Sequence, residues 1–236
     1  MARRKTTAGL TNLERFGGGI FFVLYLLLLP LAAKPALGLL EELLGKQLPE
    51  GMAGAVYYYA LFAVTVILFH SLLAKTTRRF LDDPGLGLKT AGMGVVAHYG
   101  LCELASRLGG LLTDRVGNLN DAAISARTAS APHVTLLIVV FLAPFVEETL
   151  FRGLVFGGLK ERSRLLAYAA SCALFALLHV WQFAVANRDA GYFLLMVQYL
   201  IPGLVLAWAY DHSGTLWASI GLHAGINALS VLSGLA

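Results

Sequence analysis

Four apolar stretches run almost end to end through the second half of the chain, at about 134–158, 165–186, 191–210 and 214–235. Each holds about 20 residues or more, enough to cross roughly 30 Å of hydrocarbon as a helix. Two further apolar runs precede them, about Gly17 to Ala33 and Met52 to Ala74, and a less pure one covers about Thr90 to Leu112. The composition agrees, with 58% hydrophobic and only 14% charged residues, where a soluble domain carries about 25% charged. The expectation is an all-α polytopic transmembrane bundle of about seven spans. No internal repeat or low-complexity linker divides it, so residues 1–236 are read as a single membrane domain. Its partner on every side is the lipid bilayer. The net charge of +4 lies mostly in the connections and reads as membrane orientation rather than nucleic-acid binding.

The connections carry their own signals. Residues 1–16 hold Arg3, Arg4, Lys5 and Arg15, residues 75–89 hold Lys75, Arg78, Arg79 and Lys89, and the turn at 159–164 holds Lys160, Arg162 and Arg164. These basic clusters fall on alternate sides of the spans, which places the N-terminus in the cytoplasm. Residues 34–51 read as an amphipathic surface helix, 75–89 as a loop ended by Pro84-Gly85, and 113–133 as a polar loop. Pro30 breaks the first apolar run. In the third run Glu103 and Arg107 stand at helical pairing distance.

Ionised groups at membrane depth are costly, so they usually face a bundle interior and serve a function. The fourth long stretch contains Glu147, Glu148 and Arg152, just after Pro144. On a helix Glu148 and Arg152 share a face and can pair. Glu147 points roughly 100° away and has no partner within its own helix. A kink at Pro144 could open a cavity beside it. The next spans contribute His179, then Gln198 and Pro202, then His223 and Asn227 on one face. Counted from the nearest loop, Glu147, His179 and His223 lie roughly 14–22 Å along their helices. One pocket can therefore gather them. A structural network of ion pairs is the bland alternative.

The ordered trio is more specific than its parts. Glu147-Glu148-Thr149-Leu150-Phe151-Arg152 fits Glu-Glu-x-x-x-Arg, Phe175 to His179 fits Phe-x-x-x-His, and His223 to Asn227 fits His-x-x-x-Asn. In this order the motifs resemble the CPBP intramembrane proteases, the family of CAAX prenyl endopeptidases and bacteriocin-processing or Abi proteins. The resemblance covers about Val134 to Ala236, the expected catalytic helices, and residues 1–133 carry no matching motif. It implies hydrolysis of a peptide bond in a membrane-associated substrate, either a lipidated CAAX-type protein or a processed peptide. Glu147 aided by His179 would deprotonate a water, His223 and Asn227 would donate to the oxyanion, and Glu148 with Arg152 would support them. A bacterial plasma membrane is the expected location. No cofactor is expected, although Glu147, His179 and His223 also have the ligand types of a His₂Glu zinc site. Two other classes stay open: a proton-coupled transporter using the same groups as a relay, and a non-enzymatic membrane scaffold or immunity protein.

Overall fold

The computed structural model describes residues 9–49, 51–109, 128 and 131–235, all of them helical or in short connections, with no strand among the described residues. Eight helices follow in order: α1 (Asn12–Leu44), α2 (Met52–Leu68), α3 (His70–Asp82), α4 (Pro84–Gly109), α5 (Pro132–Lys160), α6 (Arg164–Asn187), α7 (Met196–Ser213, entered through a 3₁₀ turn at Ala190–Leu195) and α8 (Leu216–Leu235). Helices suit these apolar runs because hydrocarbon offers no partner to an unpaired backbone amide.

Five helices among the described residues are long and apolar enough to cross a membrane, or six if the bent pair α2–α3 is one span. The count of about seven is not reached because α4 falls short. It has the length, but its many glycines and Lys89, His98, Glu103 and Arg107 dilute its apolar content. Instead it packs against α7 and α8. Its Glu103–Arg107 pair forms as the spacing requires, at 2.7 Å and exposed.

Three sequence expectations are corrected. Residues 34–44 are not a separate surface helix: they continue α1, a single helix of 33 residues that ends where Gly45 takes φ 63°. Pro30 does not break α1, because a widened π-helical turn at Leu24–Leu28 precedes it. Residues 75–89 are not a loop, since only Asp83 separates α3 from α4. Arg3, Arg4 and Lys5 of the tail and most of 113–133, on which part of the orientation rests, lie outside the described residues.

α3 turns 83° from α2 and its start is fixed by a buried carboxylate. Glu14 Oε1 accepts from Leu72 N–H at 2.6 Å, while its Oε2 accepts from Thr11 N–H at 2.7 Å. One side chain thus serves unpaired amides at the starts of two helices. From its middle α3 caps α8, with Thr76 Oγ1 accepting from Leu216 N–H at 2.6 Å. Gly18 lets the Phe69 ring approach α1, since a Cβ there would lie 2.6 Å from it.

The core forms around α5. Its apolar window is 72% buried, against 28–39% for the other four spanning helices, and it touches α1, α2, α6, α7 and α8. Asp211 on α7 ties the turn at 159–164 together by pairing with Lys160 and Arg164 and accepting from Tyr168 Oη.

Candidate active site

Glu147 and Glu148 end a short α-helical piece, Ala143–Glu148, set between two widened π-helical stretches, Leu137–Leu142 and Thr149–Phe156. Such insertions are frequent at functional positions. Pro144 explains the first one. Ala143 N–H reaches back five residues to the Ile138 carbonyl, and Pro144 has no N–H to give. The Val139 carbonyl therefore has neither its four-residue nor its five-residue partner within α5. Asn227 on α8 supplies the missing donor, with Nδ2 at 2.7 Å from Val139 O. The expected kink is thus a widened turn in an unbroken helix, capped from outside.

That contact carries an expected result. Asn227→Ala leaves a carbonyl orphaned and should cost about 1–3 kcal/mol of stability. Pro144→Ala offers the carbonyl a new N–H, so the Asn227→Ala penalty should shrink in that background. Thermal unfolding of the four proteins in micelles measures it. An unchanged penalty would show that Asn227 does not act on this carbonyl.

Both glutamates are buried, and their surroundings differ. Glu148 Oε1 accepts from Arg152 Nη1 at 3.0 Å and from His223 Nδ1 at 2.9 Å. Arg152 is fully buried, donates through Nη2 to Gly203 O at 3.0 Å and lies 4.5 Å above the Phe175 ring. The expected Glu148–Arg152 pair is present and gains a histidine that sequence spacing did not assign to it. Glu147 has no such counter-charge. Its Oε1 accepts from Tyr25 Oη on α1 at 3.3 Å, and among the described residues its buried Oε2 has no hydrogen-bond partner, as is also true of Glu148 Oε2. Tyr25 was not legible as a site residue. Its only signal is a single hydroxyl inside a leucine run, and tyrosines in spans more often mark the interface.

His179 is fixed in tautomer and plane. Nδ1 bonds the Phe175 carbonyl at 2.9 Å, so it carries the proton and leaves a lone pair at Nε2. Its ring stacks on Tyr199 at 4.7 Å, and Glu147, Arg152 and His223 all lie within electrostatic range of it. Phe175 meets His179, His223 and Phe151 edge-on or tilted, which seats it at the centre of the cluster.

The six predicted residues converge, but not all in the predicted pairs. Asn227 spends one amide hydrogen on Val139, and His223 spends Nδ1 on Glu148, so an oxyanion pair would draw only on the remaining Asn227 hydrogen and on Nε2. For zinc, the ligand types fit better than the placement. Among the described residues no three His, Cys, Asp or Glu side chains are grouped to hold a metal ion.

Comparison with known proteins finds similarity in this part of the chain. Residues 129–229 match the family described as type II CAAX prenyl endopeptidase Rce1-like. The match is a similarity over less than half of the chain. It spans α5 to α7, most of α8 and every predicted site residue, whereas Tyr25 lies outside it. An uncharacterized 24.3 kDa protein of Escherichia coli is 32% identical over 101 residues, 43% of this chain and 44% of that protein. The UPF0177 protein YxdF of Lactococcus lactis is 28% identical over 90 residues, 38% of this chain and 44% of that protein. The chain thus spans less than half the length of these curated relatives. No solved structure matches.

Proposed function

We propose that this protein is an intramembrane endopeptidase that hydrolyses a peptide bond of a membrane-associated substrate with a glutamate-activated water. The observation that carries the reading is the asymmetry of the two buried carboxylates. Each keeps one buried oxygen without a hydrogen-bond partner, but Glu148 is bonded to Arg152 and His223, while Glu147 bonds only the neutral Tyr25 hydroxyl among the described residues and lies within electrostatic range of His179. A carboxylate held in this way suits a general base.

In the proposed reaction, Glu147 Oε2 and the His179 Nε2 lone pair accept the two hydrogens of a water. As the water oxygen attacks the scissile carbonyl carbon, Glu147 takes one proton. The carbonyl oxygen becomes an oxyanion, stabilised by the free Asn227 amide hydrogen and by His223 in its imidazolium form, which donates at Nδ1 to Glu148 and at Nε2 to the oxyanion. Collapse breaks the C–N bond, and the proton on Glu147 passes to the leaving amine. Arg152 holds Glu148, and through it His223, in place. No step uses a metal.

The family match makes a prenylated CAAX peptide the first substrate to try. The test uses full-length protein in phospholipid vesicles, an internally quenched peptide ending in a farnesylated CAAX sequence, and the same peptide without its lipid. Cleavage that survives chelator treatment supports the proposal. Stoichiometric zinc whose removal abolishes cleavage and whose return restores it would overturn the metal-free mechanism. Folded protein that cleaves neither peptide would overturn the substrate class. The proposal also keeps the N-terminus in the cytoplasm, so a cysteine placed at residue 5 should label only from that side, and labelling from outside intact cells would reverse the orientation.

A further inference from the structure

α1 belongs to the part of the chain that lies outside the Rce1-like match, yet it reaches the proposed active site. Phe21, Phe22, Tyr25 and Leu26 are buried, and no described residue of α1 beyond Leu26 is. The helix leaves the bundle just past Glu147. At this point it contains the widened turn Leu24–Leu28, in which Leu29 N–H reaches back to Leu24 O immediately before Pro30. α5 repeats that arrangement, with Ala143 bonded to Ile138 immediately before Pro144. Two prolines thus impose matching insertions on the two helices whose side chains meet at Glu147.

We propose that Tyr25 is a positioning residue for Glu147, its hydroxyl holding Oε1 so that Oε2 is presented to the attacking water. This rests on the reading of Glu147 as general base. A carboxylate has two equivalent oxygens and a broad terminal torsion, so an unheld Glu147 would divide its population between orientations. The Tyr25 hydroxyl removes that freedom at one oxygen only. Its bond is not needed to dock α1. Phe22 already packs edge-on against Phe151 of α5 at 5.3 Å, Gly18 admits Phe69, and Glu14 binds the Leu72 amide. A phenylalanine at position 25 would retain the ring packing and lose only the donor.

The test compares wild-type protein, Tyr25→Phe, Glu147→Asp and the double variant in vesicles with the farnesylated peptide. Tyr25→Phe should lower kcat about 10–100-fold, the loss of a hydrogen bond to a charged group, with KM unchanged; it also leaves Glu147 Oε1 without its donor, so thermal stability should fall and kcat is read per folded protein. Asp at 147 is one methylene shorter and withdraws from the hydroxyl, so Tyr25→Phe should cost nothing further in that background. An equal loss in both backgrounds, or no loss in either, overturns the proposal. Infrared difference spectra need no substrate. The Tyr25→Phe spectrum should show a displaced carboxylate band that vanishes in a Glu147→Gln background, and a band that does not move overturns the proposal. The two readings fail differently: full activity of Glu147→Gln defeats the general base itself, whereas an inactive Glu147→Gln beside a fully active Tyr25→Phe defeats only the role of Tyr25.

Discussion

Glu147→Gln should lower the rate of peptide hydrolysis by about 10²–10⁴-fold, the contribution of a positioned general base, while the protein still inserts and unfolds at nearly the wild-type temperature. The substitution keeps the side chain's size. It also keeps an acceptor for Tyr25 Oη at 3.3 Å. What it removes is the ability to take a proton, and Glu147 is not the glutamate that holds the bundle together. Glu148 has that place, bonded to both Arg152 and His223. Activity and stability should therefore separate at Glu147. The measurement is cleavage of the farnesylated peptide beside thermal unfolding of the same preparation. Normal turnover by well-folded Glu147→Gln protein would rule out the catalytic assignment. A relay in a transporter has no need of peptide cleavage at all, so loss of cleavage in this variant also discriminates against that class.

Much of this architecture was legible because hydrocarbon imposes a simple rule on sequence. A run of about 20 apolar residues has to be helical, and α5 to α8 lie close to the stretches read from hydropathy. The Glu148–Arg152 pair was legible because it is local, one helical turn apart. What failed was of two kinds. Helix continuity through Pro30 and Pro144 depends on widened turns, and a run such as Leu24 to Leu29 fits an α or a π turn equally well. Contacts between distant segments are the second kind. Tyr25 to Glu147 spans 122 positions and Asn227 to Val139 spans 88, and no spacing within one helix encodes them. Asn227 does leave a trace in hindsight, since a proline after a π turn creates an orphan carbonyl that some donor must reach. The 83° turn at Phe69 left none, because apolar and basic residues follow one another there without a proline or glycine.

Arg152→Gln should destabilise the protein by about 3–5 kcal/mol, because it leaves a buried carboxylate without its main counter-charge. Arg152 and Glu148 are both fully buried, and their contact is 3.0 Å. The arginine does more than neutralise. Its second nitrogen donates to the Gly203 carbonyl on α7, and its guanidinium lies over Phe175 on α6. Gly203 permits this because α6 and α7 approach so closely that a Cβ there would lie 3.3 Å from Cys172 Cα. A lysine offers neither the planar fork nor the stacking, so Arg152→Lys should recover only part of the loss. Glu148→Gln alone leaves Arg152 with Gly203 and removes the acceptor charge beside His223, so it should lower activity as well as stability. The double variant Glu148→Gln with Arg152→Gln restores electrical balance with two amides that can bond each other. Its destabilisation should fall short of the summed single losses by about 0.5–3 kcal/mol, the range for directly coupled residues. Unfolding in mixed micelles across the four proteins gives the coupling. Strict additivity would mean that the two side chains are stabilised independently, and the ion pair would then not be what locks α5 to α7 and orients His223.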